Sequence, residues 1–141
     1  MLVVYDPDAE FIQVHPSGPG KVTAAQMIVT PPIPAWRLSA CTQLAHEKAN
    51  PTDFALLVCA EGEPPPNFTR LAKSEEAQPG FSGWHTLGPL QNGMLSVLLS
   101  GTPNERLSVY LLTKQKGTAE FAWARFSGLQ LHLGPPSQPE P

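Results

Sequence analysis

Long apolar runs are missing from this sequence. The longest, Phe54 to Ala60, has seven residues, far short of the roughly 20 that a membrane-spanning helix needs. Charge is also scarce, at 15% of the 141 residues against about 25% in an average soluble domain. The formal net charge of −3 supplies no basic field, which argues against a phosphate-backbone partner and therefore against nucleic acid. Two cysteines, Cys41 and Cys59, are too few for a metal box or a disulfide framework, and buried free thiols are the expected state. No basic segment followed by an apolar h-region opens the chain. The expected setting is the cytoplasm, or a domain excised from a longer protein.

What the chain has in excess is proline. Its seventeen prolines are about twice average usage. Each proline in a helix interior costs roughly 3 kcal/mol, so a helical bundle is excluded and short strands joined by many turns are favoured. A chain of this length can bury one hydrophobic core. Residues 1–133 are expected to form a single domain, and residues 134–141 (GPPSQPEP) a proline-rich tail or linker.

Strand-like text begins at Leu2–Tyr5 and Phe11–His15, the latter ended by a turn cluster at residues 16–20 (PSGPG). Val22–Thr30 follows and stops at residues 31–34 (PPIP), which cannot join a central ladder. Trp36–His46 alternates strictly, with Leu38, Ala40, Thr42 and Leu44 on one side and Arg37, Ser39, Cys41 and Gln43 on the other. That period of two reads as a half-buried strand; a helix over residues 39–49 is the competing reading, because the segment ends in good helix formers. Asp53–Ala60 is the next strand, and the short connection suggests a hairpin with the one before it. Such a hairpin places Leu44 near Leu56, Thr42 near Val58, and Cys41 close enough to Cys59 to test for pairing. Residues 61–80, with a short Phe68–Leu71 run, form the longest irregular stretch. Phe81–Leu87 and Met94–Leu99 resume the strand pattern. Leu107–Thr113 and Glu120–Phe126 are expected to form a hairpin around Gly117, followed by a turn at Ser127–Gly128 and a last strand. The total is about nine or ten strands at spacings of 8–15 residues, which predicts an all-β fold: an antiparallel β-sandwich of the jelly-roll kind.

Folding the 107–113/120–126 pair symmetrically separates two faces. One carries Leu107, Val109, Leu111, Ala122, Ala124 and Phe126, a core face whose small alanines leave room for a facing sheet. The other carries Ser108, Tyr110, Leu112, Phe121, Trp123 and Arg125. Tyrosine and tryptophan combine a flat apolar surface with a polar tip, and arginine adds a planar fork of donors. Sugars need that combination, with rings for their C–H faces and fixed donors for their hydroxyls. Equally, such residues can be covered by loops, with Trp123 an anchor and Arg125 paired to a carboxylate.

Residues 121–131 (FAWARFSGLQL), preceded by Tyr110–Lys114, resemble the closing strands of jelly-roll carbohydrate-binding-like modules that accompany bacterial glycosyltransferases and polysaccharide-handling proteins. His15–Pro16, residues 44–48 (LAHEK) and Ser82–Gly83–Trp84 are similar to further stretches of such accessory domains. The resemblance covers residues 11–133 and implies a sandwich that binds an oligosaccharide or polysaccharide.

Catalytic and metal chemistry find little support. Residues 46–50 (HEKAN) begin like a zinc-protease motif but place Asn50 where the second histidine belongs. The histidines His15, His46, His85 and His132 are dispersed. Asp6, Asp8 and Glu10 cluster near the first strands in a pattern that could suit calcium, but no cofactor is expected. Asn67–Phe68–Thr69 matches a glycosylation acceptor. No carboxylate pair suits glycoside hydrolysis, so an enzyme is not expected. The expected function is a non-catalytic carbohydrate-binding module, with Tyr110, Trp123, Arg125, Trp84 and His85 as ligand-binding residues. The alternative is a structural or assembly module whose aromatic face is an oligomer interface or an interface to a covalently linked catalytic domain. Neither nucleic acid nor membrane is expected as a partner.

Overall fold

A computed structural model describes residues 2–6, 11–16, 21–30, 35–60, 80–99, 106–115, 117 and 122–133. The side chains of residues 2–6, 35, 60 and 133 are left out of that description. The strands are β1 (Leu2–Asp6), β2 (Phe11–His15), β3 (Thr23–Val29), β4 (Ala35–Leu44), β5 (Thr52–Ala60), β6 (His85–Leu87), β7 (Asn92–Leu98), β8 (Leu107–Lys114) and β9 (Ala124–Leu133). The first sheet runs in the order β1-β2-β9-β4-β7 and the second in the order β3-β8-β5-β6, with every pairing antiparallel. Apart from the edge strand β1, the two facing layers hold four strands each, so the sandwich proper has eight strands rather than nine or ten. The strand reading of Trp36–His46 holds over the competing helix: residues 39–44 continue β4 and a turn occupies Glu47–Lys48.

The core lies where the alternation placed it. Val14, Leu38, Ala40, Leu44, Leu95, Val97, Ala124 and Phe126 point inward from the first sheet, and Phe54, Leu56, Leu87, Val109 and Leu111 from the second, all in one buried cluster. The Phe54 and Phe126 rings meet edge to face across the interlayer space, 5.6 Å apart and tilted by 64°. All six residues of the expected core face are buried, including Leu107 and Ala122.

Strand partners, by contrast, differ from both expected hairpins. β4 pairs with β9 and β7, and β5 with β8 and β6. Likewise β8 lies between β3 and β5, while β9 lies between β2 and β4. The connections after β4 and β8 therefore cross from one layer to the other. A connection of hairpin length can arch between layers as well as turn within one, and both routes bury the same alternate residues. Cys41 consequently projects, exposed, from the outer face of the first sheet and Cys59, half-buried, from that of the second, so neither is the buried thiol expected and the two do not pair.

The expected turn at Ser127–Gly128 is instead a bulge within β9. Cys41 aligns with Ser127 but Ser39 with Gln130, so Gly128 and Leu129 together oppose Ala40. Gly128 has φ +58°, a left-handed conformation that suits glycine. The extra residue changes parity: Ala124 and Phe126 face inward before it, Leu129 and Leu131 after it. The strand expected over residues 81–87 is interrupted too. Gly83 has φ +79°, leaving β6 and a separate bridge between Phe81 and Leu57. The Phe68–Leu71 run, the Asn67 acceptor, Asp8, Glu10, Phe121 and the 134–141 tail lie outside the described residues.

Candidate functional site

The five expected binding residues do not converge. Tyr110 projects from β8 onto the outer side of the second sheet, where it packs with Ala55, Leu57, Leu112, Phe81 and Trp84. Arg125 projects from β9 onto the outer side of the first sheet, opposite Gln13 and Gln43. Its Nε donates to Gln13 Oε1 at 3.3 Å and its guanidinium lies 4.2 Å from the Phe11 ring centroid. Trp123 stands just before β9, 39% exposed, with its ring 4.7 Å from that of His46 and 5.9 Å from the Arg125 guanidinium. The Tyr110–Trp123–Arg125 platform is thus divided between opposite sides of the sandwich, because its two strands belong to different layers. His85 is exposed at the β6 edge, its Nε2 within 3.3 Å of the Ser82 carbonyl.

Trp84, of these five, lines a pocket on the second sheet. Asn50, Pro51, Asp53, Trp84, Thr86, Lys114 and Gly117 surround a cavity of about 610 Å³, within the ~300–1,000 Å³ range of small-ligand sites. Antiparallel register builds its floor: Asp53 of β5 is aligned with Lys114 of β8 on one side and Thr86 of β6 on the other. These three side chains point outward together because each sits on the parity opposite to the core. Thr86 Oγ1 donates to Asp53 Oδ1, and Lys114 Nζ lies 3.8 Å from Asp53 Oδ2. Both members of that ion pair are mostly buried, at 14% and 18% exposure, so water screens them incompletely.

Trp84 is held from two sides. Phe81 meets it edge to face at 6.0 Å, and the Lys114 ammonium lies 4.7 Å from its ring centroid. The backbone preceding Trp84 is tied to β5: Val58 N–H donates to the Gly80 carbonyl at 2.7 Å, Ser82 N–H to the Leu56 carbonyl at 3.0 Å, and Leu56 N–H to Ser82 Oγ at 2.8 Å. On the other wall, Gln115 Nε2 donates to the Asn50 carbonyl at 3.0 Å and to Thr52 Oγ1 at 3.1 Å, and Thr52 Oγ1 donates to the same carbonyl. Gln115 is 1% exposed, so this anchoring sits in the interior. The pocket therefore combines a fixed indole with a carboxylate, an ammonium, a hydroxyl and an amide around one cavity.

A second cluster lies on the outer side of the first sheet. Arg37 Nη2 is 3.5 Å and Ser39 Oγ 3.1 Å from His132 Nε2, so both donors address one acceptor. The Trp36 and His132 rings are 5.7 Å apart, and Arg37 Cζ is 5.1 Å from the Trp36 centroid. Arg37 Nε is buried with no hydrogen-bond partner, a condition that costs about 1–3 kcal/mol or more for a charged group.

Sequence reading missed Asp53, Lys114, Thr86 and Asn50. They come from three strands and the β4–β5 connection, which meet only in the folded sheet, so no local spacing joins them. The available signal was Asp53 and Lys114, charged residues on outward parity at the ends of otherwise apolar strands.

The fold and site define a small antiparallel β-sandwich with a polar, tryptophan-walled pocket on one layer. The chain belongs to the family of unknown function DUF6212, whose model matches residues 3–114. That span includes every residue lining the pocket except Gly117. No curated protein matches the chain.

Proposed function

We propose that this protein is a jelly-roll carbohydrate-binding module that takes a saccharide into the Trp84 pocket without catalysing its conversion. The fold supports the reading through strand order: β2-β9-β4-β7 facing β3-β8-β5-β6 is the arrangement two Greek keys produce in a jelly roll. The single observation that carries the functional claim is the association of Trp84 with the Lys114–Asp53–Thr86 row around one cavity. The indole offers an apolar wall to the C–H groups of a pyranose. Asp53 accepts from vicinal hydroxyls, while Lys114 and Asn50 donate to them. The mutual neutralisation of Asp53 and Lys114 favours an uncharged sugar, because a ligand charge of either sign would meet a like charge in the same cavity. The test is a glycan array with the intact chain, followed by calorimetry of hits with Trp84→Ala. Binding should be lost in that variant while its circular dichroism stays that of the parent; binding that survives the substitution refutes the assignment.

One observation favours an assembly module instead. Met94 and Leu98 project from the edge strand β7 with 69% and 63% exposure, and an open edge can pair with another chain. Light scattering distinguishes the readings: a stable multimer dissociated by Met94→Lys supports assembly, and a monomer across micromolar concentrations rejects it.

A further inference from the structure

We propose that Arg37, with Ser39, His132 and Trp36, forms an oxyanion site for the carboxylate of an acidic saccharide, on the layer opposite the Trp84 pocket. The first ground is the state of the guanidinium. Among the described residues no carboxylate pairs with Arg37; its contacts are the 3.5 Å approach to His132 and the Trp36 ring, and its Nε–H is buried without an acceptor. A guanidinium presents a planar fork of donors that a carboxylate fills with two parallel bonds.

The second ground is the composition of the surrounding face. By register, the outward positions around it are Ser39, Cys41 and Gln43 of β4, Gln130, Ser127 and Arg125 of β9, Leu98, Ser96, Met94 and Asn92 of β7, and Phe11 and Gln13 of β2, with Leu98 aligned with Arg37 itself. No carboxylate is among them, in a chain whose net charge is −3; hydroxyls, amides, a thiol and a second arginine lie toward the middle of the face, and the exposed Met94 and Leu98 lie along its β7 edge. Arg125 aligns with Gln43, six residues along β4 from Arg37, which is roughly 20 Å at strand rise. Two cations so far apart are too sparse for a nucleic-acid backbone, which carries one charge per about 1.7 Å of duplex. An extended glycan with spaced carboxylates suits the arginines, and its hydroxyls suit the amides between them. Trp36 beside Arg37 adds a ring for the sugar that carries the carboxylate.

The test uses ¹⁵N-labelled full chain, the Nε–H signal of Arg37 assigned by its loss in Arg37→Lys, and three probes: an oligoglucuronate, the same oligomer after carboxyl reduction, and inorganic sulfate. The oligoglucuronate should move the Arg37 signal and bind at least tenfold more tightly than its reduced form. Arg37→Gln should abolish that difference. Arg37→Lys, which keeps the charge and loses the fork, should reduce it. An Arg37 signal shifted equally by the acidic and reduced oligomers overturns the proposal, as does an Arg37 signal that does not move. Sulfate binding as tightly as the oligomer assigns the site to a free anion and overturns the saccharide. Because the Arg37 signal reports on this layer and the Trp84 indole signal on the opposite one, failure of either site is visible without the other.

Discussion

Phe54 and Phe126 provide the sharpest test of which strands lie in which layer. The two rings come from β5 and β9, one in each sheet, and meet across the interlayer space with both side chains fully buried. Replacing either with leucine removes one ring while keeping a branched apolar side chain. Loss of buried apolar area and the small residual void should cost on the order of 1–2 kcal/mol for each single variant. An edge-to-face pair contributes about 0.5–1.5 kcal/mol beyond area burial, and that surplus is lost in the first substitution but cannot be lost again in the second. The double variant should therefore fall short of additivity by about 0.5–1.5 kcal/mol. Urea denaturation followed by tryptophan fluorescence supplies all four stabilities, and unchanged m-values across the set would certify that the cycle compares like states. Additivity within about 0.3 kcal/mol would mean that the residues do not touch, and the layer assignment that divides Tyr110 from Trp123 and Arg125 would fall with it.

Glycine replacement should be graded by backbone and space. In Gly80→Ala the left-handed φ of +84° is joined by a new Cβ 2.9 Å from the Val58 carbonyl oxygen, whereas in Gly128→Ala the nearest atom is Cys41 Sγ at an ordinary 3.6 Å. Gly128→Ala should cost about 1–2 kcal/mol and Gly80→Ala more, read as the order of thermal midpoints. Cys41 is exposed and Cys59 half-buried, on opposite outer faces. Thiol labelling should reach Cys41 first, and mild oxidation of the monomer should leave both thiols titratable; an intramolecular disulfide would contradict the topology. Asp53→Asn should change stability by no more than about 1 kcal/mol, the scale of a modest ion pair, yet weaken saccharide binding tenfold or more in calorimetry. Equal affinities for parent and variant would remove Asp53 from the site.

The extent to which the fold was legible follows from what a period of two encodes. Alternation in Trp36–His46 and Leu107–Thr113 assigned each residue to the inside or the outside, and Leu38, Ala40, Leu44, Val109 and Leu111 are buried accordingly. Alternation says nothing about which strand lies alongside. β8 and β9 follow one another in sequence yet occupy different sheets, and the same holds for β4 and β5. A platform assembled from adjacent strands was therefore wrong in its geometry even where its residues face outward. Ser127–Gly128 carried a true signal, a glycine at positive φ, but that conformation serves bulges as well as turns. Trp84 was legible as an amphipathic aromatic beside glycine. Its neighbours Asp53, Lys114 and Thr86 were not, because the register that aligns them depends on the order of three strands from distant parts of the chain.

The most direct test of saccharide binding at the pocket follows the indole N–H signals of the three tryptophans while a neutral oligosaccharide identified on the array is titrated into ¹⁵N-labelled protein. The account predicts a saturable shift of the Trp84 signal, with those of Trp36 and Trp123 unmoved, and loss of the shift in Asp53→Asn. A shift of Trp123 with Trp84 unmoved would place the ligand on the other layer, and saturable binding that moves none of the three would contradict the pocket altogether.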